Sequence, residues 1–183
     1  MSSDFKNDPA EERERLRFRI RELERQLAEK NSEFESLKKF LHKPIDVLVV
    51  EDSPADRKIL ADVFRDFGAK YTVHFVVDGD EALDYLNRKA DFGTAPRPNL
   101  VLLDLNLPKR DGREVLKVMK TNKELRSIPV LILTTSSDEW DFQECRTLEA
   151  CGFITKPANI DAYHPIIREL PKYCGINIPA PRS

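Results

Sequence analysis

No stretch of this sequence is apolar for anything near the ~20 residues that a membrane-spanning helix needs. The N-terminus is polar and acidic and carries no apolar signal-peptide core, so the chain reads as cytoplasmic, with no membrane span. Net charge is missing as well. Thirty basic residues face 32 acidic ones, a balance of −2, and nothing global argues for a nucleic acid or a membrane surface. Cysteine is scarce: Cys145, Cys151 and Cys174 have neither an even count nor metal-ligand spacing. They read as reduced thiols, with Cys145 and Cys151 in core packing. What remains possible at 183 residues is one ordinary domain with an appendage.

Proline and glycine are absent from Ala10 to Leu41. After a polar tail (residues 1–10), the segment 11–42 carries a heptad. Ile20, Leu27, Phe34 and Leu41 fall at one seam position, and Leu16, Leu23 and Leu37 at the other, which Lys30 interrupts. A seam of two positions in seven buries too little to stabilise a lone helix, so a coiled-coil homodimer is expected. In a parallel register Arg19 faces Glu24, Gln26 faces Asn31 and Glu33 faces Lys38, and no like charges meet. The six arginines between Arg13 and Arg25 are interleaved with Glu14, Glu22 and Glu24. That mixture reads as a solvated face and argues against a nucleic-acid partner. His42-Lys43-Pro44 ends the helix.

Beyond Pro44 the chain is punctuated by short apolar runs, each closed by a polar residue. Ile45 to Val50 runs into Glu51-Asp52-Ser53. Leu100 to Leu103 runs into Asp104, with Pro108 and Gly112 forcing a loop. Pro129 to Leu133 runs into Thr134-Thr135, and Gly152 to Thr155 into Lys156-Pro157. Unbroken runs of this length read as strands buried on both faces, the kind found in parallel sheets. Tyr71 to Val77 is a further strand, alternating, with His74 as a surface residue. Helical patterns lie between them. Ile59, Leu60, Val63, Phe64 and Phe67 face inward between Pro54 and Gly68; Ala82, Leu83 and Leu86 do so after Asp78-Gly79. Val115, Leu116 and Met119 follow between Gly112 and about Thr121. Phe142, Cys145 and Leu148 mark a helix from Ser137-Asp138 to Cys151-Gly152, which leaves Trp140 no inward place. A last helix after Asn159 collides with Pro165, so it either starts late or kinks. The proline-rich tail 171–183 reads as extended. Strands alternating with helices give an α/β, doubly wound parallel sheet.

In such a sheet, ligands bind at the carboxyl ends of the strands. If the first and third strands are neighbours, Glu51, Asp52 and Asp104 converge at that edge. Two like charges about 4 Å apart repel by about 4 kcal/mol at an effective dielectric of roughly 20, so the cluster calls for protons or a cation. Carboxylates, loop carbonyls and water suit a hard ion such as Mg²⁺. The Thr134 hydroxyl and the Lys156 ammonium arrive at the same edge, completing a set that can handle a phosphoryl group.

Glu51-Asp52, Asp104, Thr134 and Lys156-Pro157 resemble, in order and spacing, the signature positions of the response-regulator receiver domain, over roughly residues 44–170. Thirty residues separate Asp104 from Thr134 and 22 separate Thr134 from Lys156, as is usual in that family. The resemblance implies a flavodoxin-like five-stranded sheet of order 2-1-3-4-5 beside the coiled-coil helix. It also implies Asp104 as phosphoacceptor, and Mg²⁺ held by Glu51, Asp52, Asp104 and the backbone carbonyl of Asn106. Thr134 and Phe153 then form the switch pair, and Lys156 contacts the phosphoryl group. The implied partner is a histidine kinase or phosphotransfer protein, and the protein is no enzyme beyond its own phosphorylation and dephosphorylation. The loop from Ala90 to Pro98 and the run Leu103-Asp-Leu-Asn-Leu-Pro108 resemble stand-alone members, including those paired with bacterial phytochrome kinases. Only 26 residues follow Pro157, too few for a DNA-binding output domain of typical size, so output is expected to pass through a partner.

Three other readings meet obstacles in the same residues. A flavin-binding relative of the fold needs a phosphate-binding loop where Glu51-Asp52 would repel the phosphate. A haloacid-dehalogenase-type phosphatase needs a second acid where Asn106 stands. A structural coiled-coil dimer with an inactive receiver has no use for a complete signature set.

Overall fold

In the computed structural model, residues 9–41, 44–136, 138–173 and 175 are described, without the side chains of 9, 11 and 35–41. The seam positions Leu37 and Leu41 as side chains, Cys174 and the tail beyond 175 lie outside the described residues. The chain divides into two compact units, Met1–Lys43 and Pro44–Ser183.

The first unit is a single helix, α1 (Pro9–Leu41). It begins inside the segment expected as a tail, because proline is favoured at a first helical position, where its missing N–H has no helical partner. Its polar face carries pairs one turn apart: Arg25 with Glu22 (2.8 Å) and Glu29 (2.5 Å), and Lys30 with Glu33 (2.9 Å). Leu16, Ile20, Leu23 and Leu27 form an apolar row on this helix and are 49–62% exposed.

The second unit runs β1 (Ile45–Val50), α2 (Pro54–Asp66), β2 (Tyr71–Val76), α3 (Gly79–Leu86), β3 (Leu100–Leu103), α4 (Gly112–Thr121), β4 (Val130–Thr134), α5 (Glu139–Thr147), β5 (Gly152–Thr155) and α6 (Tyr163–Tyr173). The sheet has the order β2-β1-β3-β4-β5 with every pair parallel, as expected. Successive strand residues point to opposite faces, and both faces are covered. Val47, Val49, Leu100, Leu102, Leu131 and Leu133 pack with Leu60, Val63 and Phe64 of α2 and Ile167 and Leu170 of α6. Leu48, Val50, Val101, Leu103, Val130 and Ile132 pack with α3, with Val115, Leu116 and Met119 of α4, and with Cys145 of α5. Each fully buried aliphatic side chain contributes about 1.5–3 kcal/mol, and a one-residue slip would exchange the two faces. The core therefore sets the register that aligns the strand ends.

Four local expectations change. The helix expected to reach Cys151-Gly152 ends at Thr147, and Glu149 then turns the chain with φ +58°. Cys151 is exposed, with its thiol donating to the Val130 carbonyl (3.1 Å), so of these two only Cys145 belongs to the core. His74 is no free surface residue: its ring lies against Tyr85 (centroids 5.5 Å) and its Nε2 is 3.7 Å from Asp46. A short 3₁₀ turn (Ile160–Ala162) gives α6 the late start that was one of the two alternatives, so Pro165 falls in the first turn, where no helical bond is lost. That helix then continues through Pro171, three residues past the expected boundary. Proline leaves the Ile167 carbonyl without its helical donor, and the Tyr71 hydroxyl supplies one at 2.7 Å.

Candidate phosphoryl and metal site

The carboxyl edge of the sheet collects the residues that close β1, β3, β4 and β5. The ladder continues one residue past β1, with Glu51 N–H donating to the Val76 carbonyl (3.0 Å) and Asp104 N–H to the Val50 carbonyl (3.1 Å). Glu51 and Asp104 are thereby neighbours, both buried, while Asp52 faces solvent. Each of the three offers a carboxylate oxygen, and these oxygens lie within 4.8 Å of one another. Oxygen-only donors, with one member open to water, fit a hard divalent cation that keeps some of its hydration shell.

The acidic loop is held from behind. Ser53 donates its N–H to Glu51 Oε1 (3.1 Å) and caps α2 by accepting from Asp56 N–H (3.3 Å). One turn later Arg57 donates to the backbone carbonyls of Glu51 (2.8 Å) and Asp52 (2.6 Å). Asn106 donates its N–H to Asp104 Oδ1 (3.1 Å). Gly112 is packed so closely that a Cβ there would lie 2.1 Å from the Asp104 carbonyl oxygen. Farther along the same loop, Lys109 reaches Asp78 (2.5 Å) and Arg110 reaches Asp80 (2.7 Å), tying it to α3.

Lys156 follows β5, with its own N–H on the Thr134 carbonyl (2.7 Å). Its ammonium bridges Glu51 (2.6 Å), Asp104 (2.6 Å) and Asp56 (2.9 Å). Burial alone would lower its pKa, but the bonds to Asp104, Glu51 and Asp56 outweigh burial and hold it above the ordinary lysine range. Glu51 responds the other way. Burial lifts its pKa above the usual glutamate value, and the bond to Lys156 offsets only part of that. The lysine therefore stays charged, while the acidic cluster remains short of positive charge.

Thr134 is buried, and its hydroxyl oxygen accepts from Ser136 N–H (3.3 Å). Phe153 pairs in register with Ile132, which puts it on the face that Thr134 shares, and its ring meets Phe142 edge-on (centroids 5.7 Å). Glu51, Asp52, Asp104 and Lys156 are thus brought to one point, with Thr134 at the end of the neighbouring strand. Four charged side chains absent from the sequence reading, Asp56, Arg57, Arg113 and Asp141, belong here too. Asp56 and Arg57 lie in the first turn of α2. Arg113, at the start of α4, pairs with Asp111 (2.8 Å) and with Asp141 of α5. The signal for the first two is their spacing, one helical turn after the acidic loop.

Comparison with known proteins agrees with this geometry. The family model for the response regulator receiver domain matches residues 47–168. Response regulator Rcp1 of the cyanobacterium Synechocystis is 41% identical over 117 residues, which is 64% of this chain and 80% of Rcp1. The crystal structure of the phosphorylated cyanobacterial phytochrome response regulator RcpA superposes with a TM-score of 0.68 at 35% identity, covering 76% of this chain and 99% of that one. The Mn²⁺-bound form of Rcp1 gives a TM-score of 0.67 at 35% identity, over 76% of this chain and all of the other (100%). The chain belongs to the response regulator receiver family of two-component signalling.

Proposed function

We propose that this protein accepts a phosphoryl group on Asp104 from a cytoplasmic histidine kinase or phosphotransfer protein, and that it performs no other chemistry than this transfer and the hydrolysis of the resulting acyl phosphate to inorganic phosphate. The observation that carries the reading is the Lys156 ammonium bridging Asp104 and Glu51 at the edge where three carboxylates converge. A phosphorylated regulator and a Mn²⁺-bound regulator among the similar structures support it.

Glu51, Asp52 and Asp104, with the Asn106 carbonyl, would hold Mg²⁺. That ion supplies positive charge against the phosphoryl oxygens. The chain's own residues do the rest. A carboxylate oxygen of Asp104 attacks phosphorus, the phosphorus–nitrogen bond to the donor imidazole breaks, and the imidazole leaves with the bonding pair. Lys156, charged at neutral pH, transfers its contact from Asp104 to a phosphoryl oxygen. The Thr134 hydroxyl donates to another, and the space it leaves is open to the Phe153 ring, which couples phosphorylation to the face made by β5 and α5. Incubated with acetyl phosphate and Mg²⁺, the protein should gain one phosphate that hydroxylamine removes, and Asp104→Asn none. Equal labelling of the two would refute the assignment.

The apolar row on α1 favours a second element, a homodimer through that helix. Leu16, Ile20, Leu23 and Leu27, with Phe34 next in the seam, supply the contact, while Lys30 weakens it. The flanking pairs contribute at most about 1 kcal/mol each and select a parallel orientation. Light scattering at micromolar concentration should show a dimer for the full chain and a monomer for a chain starting at Lys43. A monomeric full chain would refute this.

A further inference from the structure

The receiver reading leaves one part-buried network of charge without a role. Arg113, at the start of α4, donates through Nη1 to Asp111 Oδ2 (2.8 Å) and through Nε to Asp141 Oδ1 (3.0 Å), with Nη2 on the same oxygen. Asp111 is no free partner, because its other oxygen caps α4 by accepting Arg113 N–H (2.8 Å). Glu144 lies at the margin, 3.6 Å from Nε. The far oxygen of Asp141 accepts from the Ser136 hydroxyl (2.5 Å). The Ser136 oxygen itself accepts from Asp138 N–H (3.2 Å), and Ser136 N–H donates to the Thr134 hydroxyl oxygen (3.3 Å). An unbroken relay thus runs from the capped end of α4, through the first turn of α5, to the hydroxyl that meets the phosphoryl group.

We propose that Arg113 and Asp141 are positioning residues that clamp Ser136, and through it hold the Thr134 hydroxyl in its resting place. The proposal rests on the receiver reading and adds its regulation. Solvent-exposed pairs are worth little, but this one is part-buried (Arg113 and Asp141 side chains 24% and 14% exposed), double-donor and networked, which is where charged hydrogen bonds count. Asp141 is accordingly held below the usual aspartate range by the Ser136 and Arg113 bonds. Drawing the Thr134 hydroxyl toward a phosphoryl oxygen on Asp104 either breaks its bond from Ser136 N–H or pulls Ser136 away from Asp141. Both outcomes weigh against switching. Without the clamp, the switched arrangement is more populated at rest, and a ligand that selects it binds more tightly in proportion.

The only tryptophan, Trp140, precedes Asp141 in the first turn of α5 and is 82% exposed, so its fluorescence reports on this turn. Beryllofluoride with Mg²⁺, a mimic of the acyl phosphate, is titrated into the full chain. Asp141→Ala and Ser136→Ala should each bind about tenfold more tightly than wild type. Ser136→Thr, which restores a hydroxyl, should return to the wild-type value. The variant carrying both alanines should gain nothing beyond either one, because a single relay is cut twice. Unchanged affinity in Ser136→Ala, a conservative change that decides the matter even if Asp141→Ala unfolds, would overturn the clamp. So would additive gains. A wild type that binds no beryllofluoride would instead overturn the receiver reading beneath it.

Discussion

Replacing Lys156 by methionine keeps the apolar stem and removes the charge that bridges Glu51 (2.6 Å), Asp104 (2.6 Å) and Asp56 (2.9 Å). At an effective dielectric of about 20, each 2.6 Å contact is worth ~6 kcal/mol before desolvation. Taking the charges out of water returns most of that, since the Lys156 side chain is only 6% exposed and those of Glu51 and Asp104 are as buried. The net value of the intact cluster is therefore small. Its loss is another matter, because the carboxylates stay buried with their partner gone, and such a break costs about 3–5 kcal/mol. Asp56 is more exposed and contributes the least. For a domain of this size the midpoint of thermal unfolding should fall by roughly 10–20 °C in the absence of divalent cations. Adding Mg²⁺ should recover most of the loss in Lys156→Met and stabilise the wild type less, since in the variant no ammonium competes for the same oxygens. Denaturant and thermal unfolding, each with and without a chelator, read this out. A cation-free loss below about 1 kcal/mol, or an equal gain from Mg²⁺ in both proteins, would show that Lys156 does not balance the cluster.

Gly112→Ala should cost at least about 1 kcal/mol despite the better helix propensity of alanine, because its Cβ would lie 2.1 Å from the Asp104 carbonyl oxygen and 2.8 Å from Leu105 Cα. A variant as stable as wild type in urea would show that the loop yields without strain. The raised pKa of Glu51 means that, between the ordinary 4.5 and its higher folded value, the native state binds more protons than the unfolded one. Cation-free stability should then rise as pH falls through that window, and Glu51→Gln should flatten the slope. The depressed Asp78 and Asp141 act lower, losing their contribution only as pH drops below the ordinary 3.8. A slope that survives in Glu51→Gln would assign it to another group.

Most of the fold was legible because a strand buried on both faces cannot alternate. Leu100 to Leu103 and Val130 to Leu133 are buried throughout, and each run ends where a site residue begins. Since parallel strands all finish at one edge, listing what closes each run amounts to listing the site. The helices gave up their inner faces equally well where apolar spacing was dense: Val115, Leu116 and Met119 are all buried. The reading failed where a distant partner overrides local preference. Tyr85, outside the inward set Ala82, Leu83 and Leu86, is buried with its ring against those of His74 and Phe92. Pro171 continues a helix because a tyrosine 96 residues from Ile167 takes the carbonyl that proline cannot serve. Neither partnership leaves a periodic trace.

The charged residues that the sequence reading passed over share a cause. Asp56, Arg57, Arg113 and Asp141 carry no apolar spacing or motif that sets them apart in the sequence from polar residues on the outer face of a helix. Their position is nonetheless dictated by topology. In a doubly wound parallel sheet each strand hands its chain to a helix, so every helix N-terminus sits at the same edge as the strand ends. Residues in the first turn of α2, α4 or α5 are therefore within a side chain's reach of Glu51, Asp104 or Thr134, whatever their hydropathy. Asp56 and Arg57 reach the acidic cluster and its loop. Arg113 reaches Asp141, and Asp141 reaches Ser136 beside the Thr134 hydroxyl. In a sheet of this kind the first turn after each site strand belongs to the site, and a charge found there calls for a partner before it is assigned to solvent.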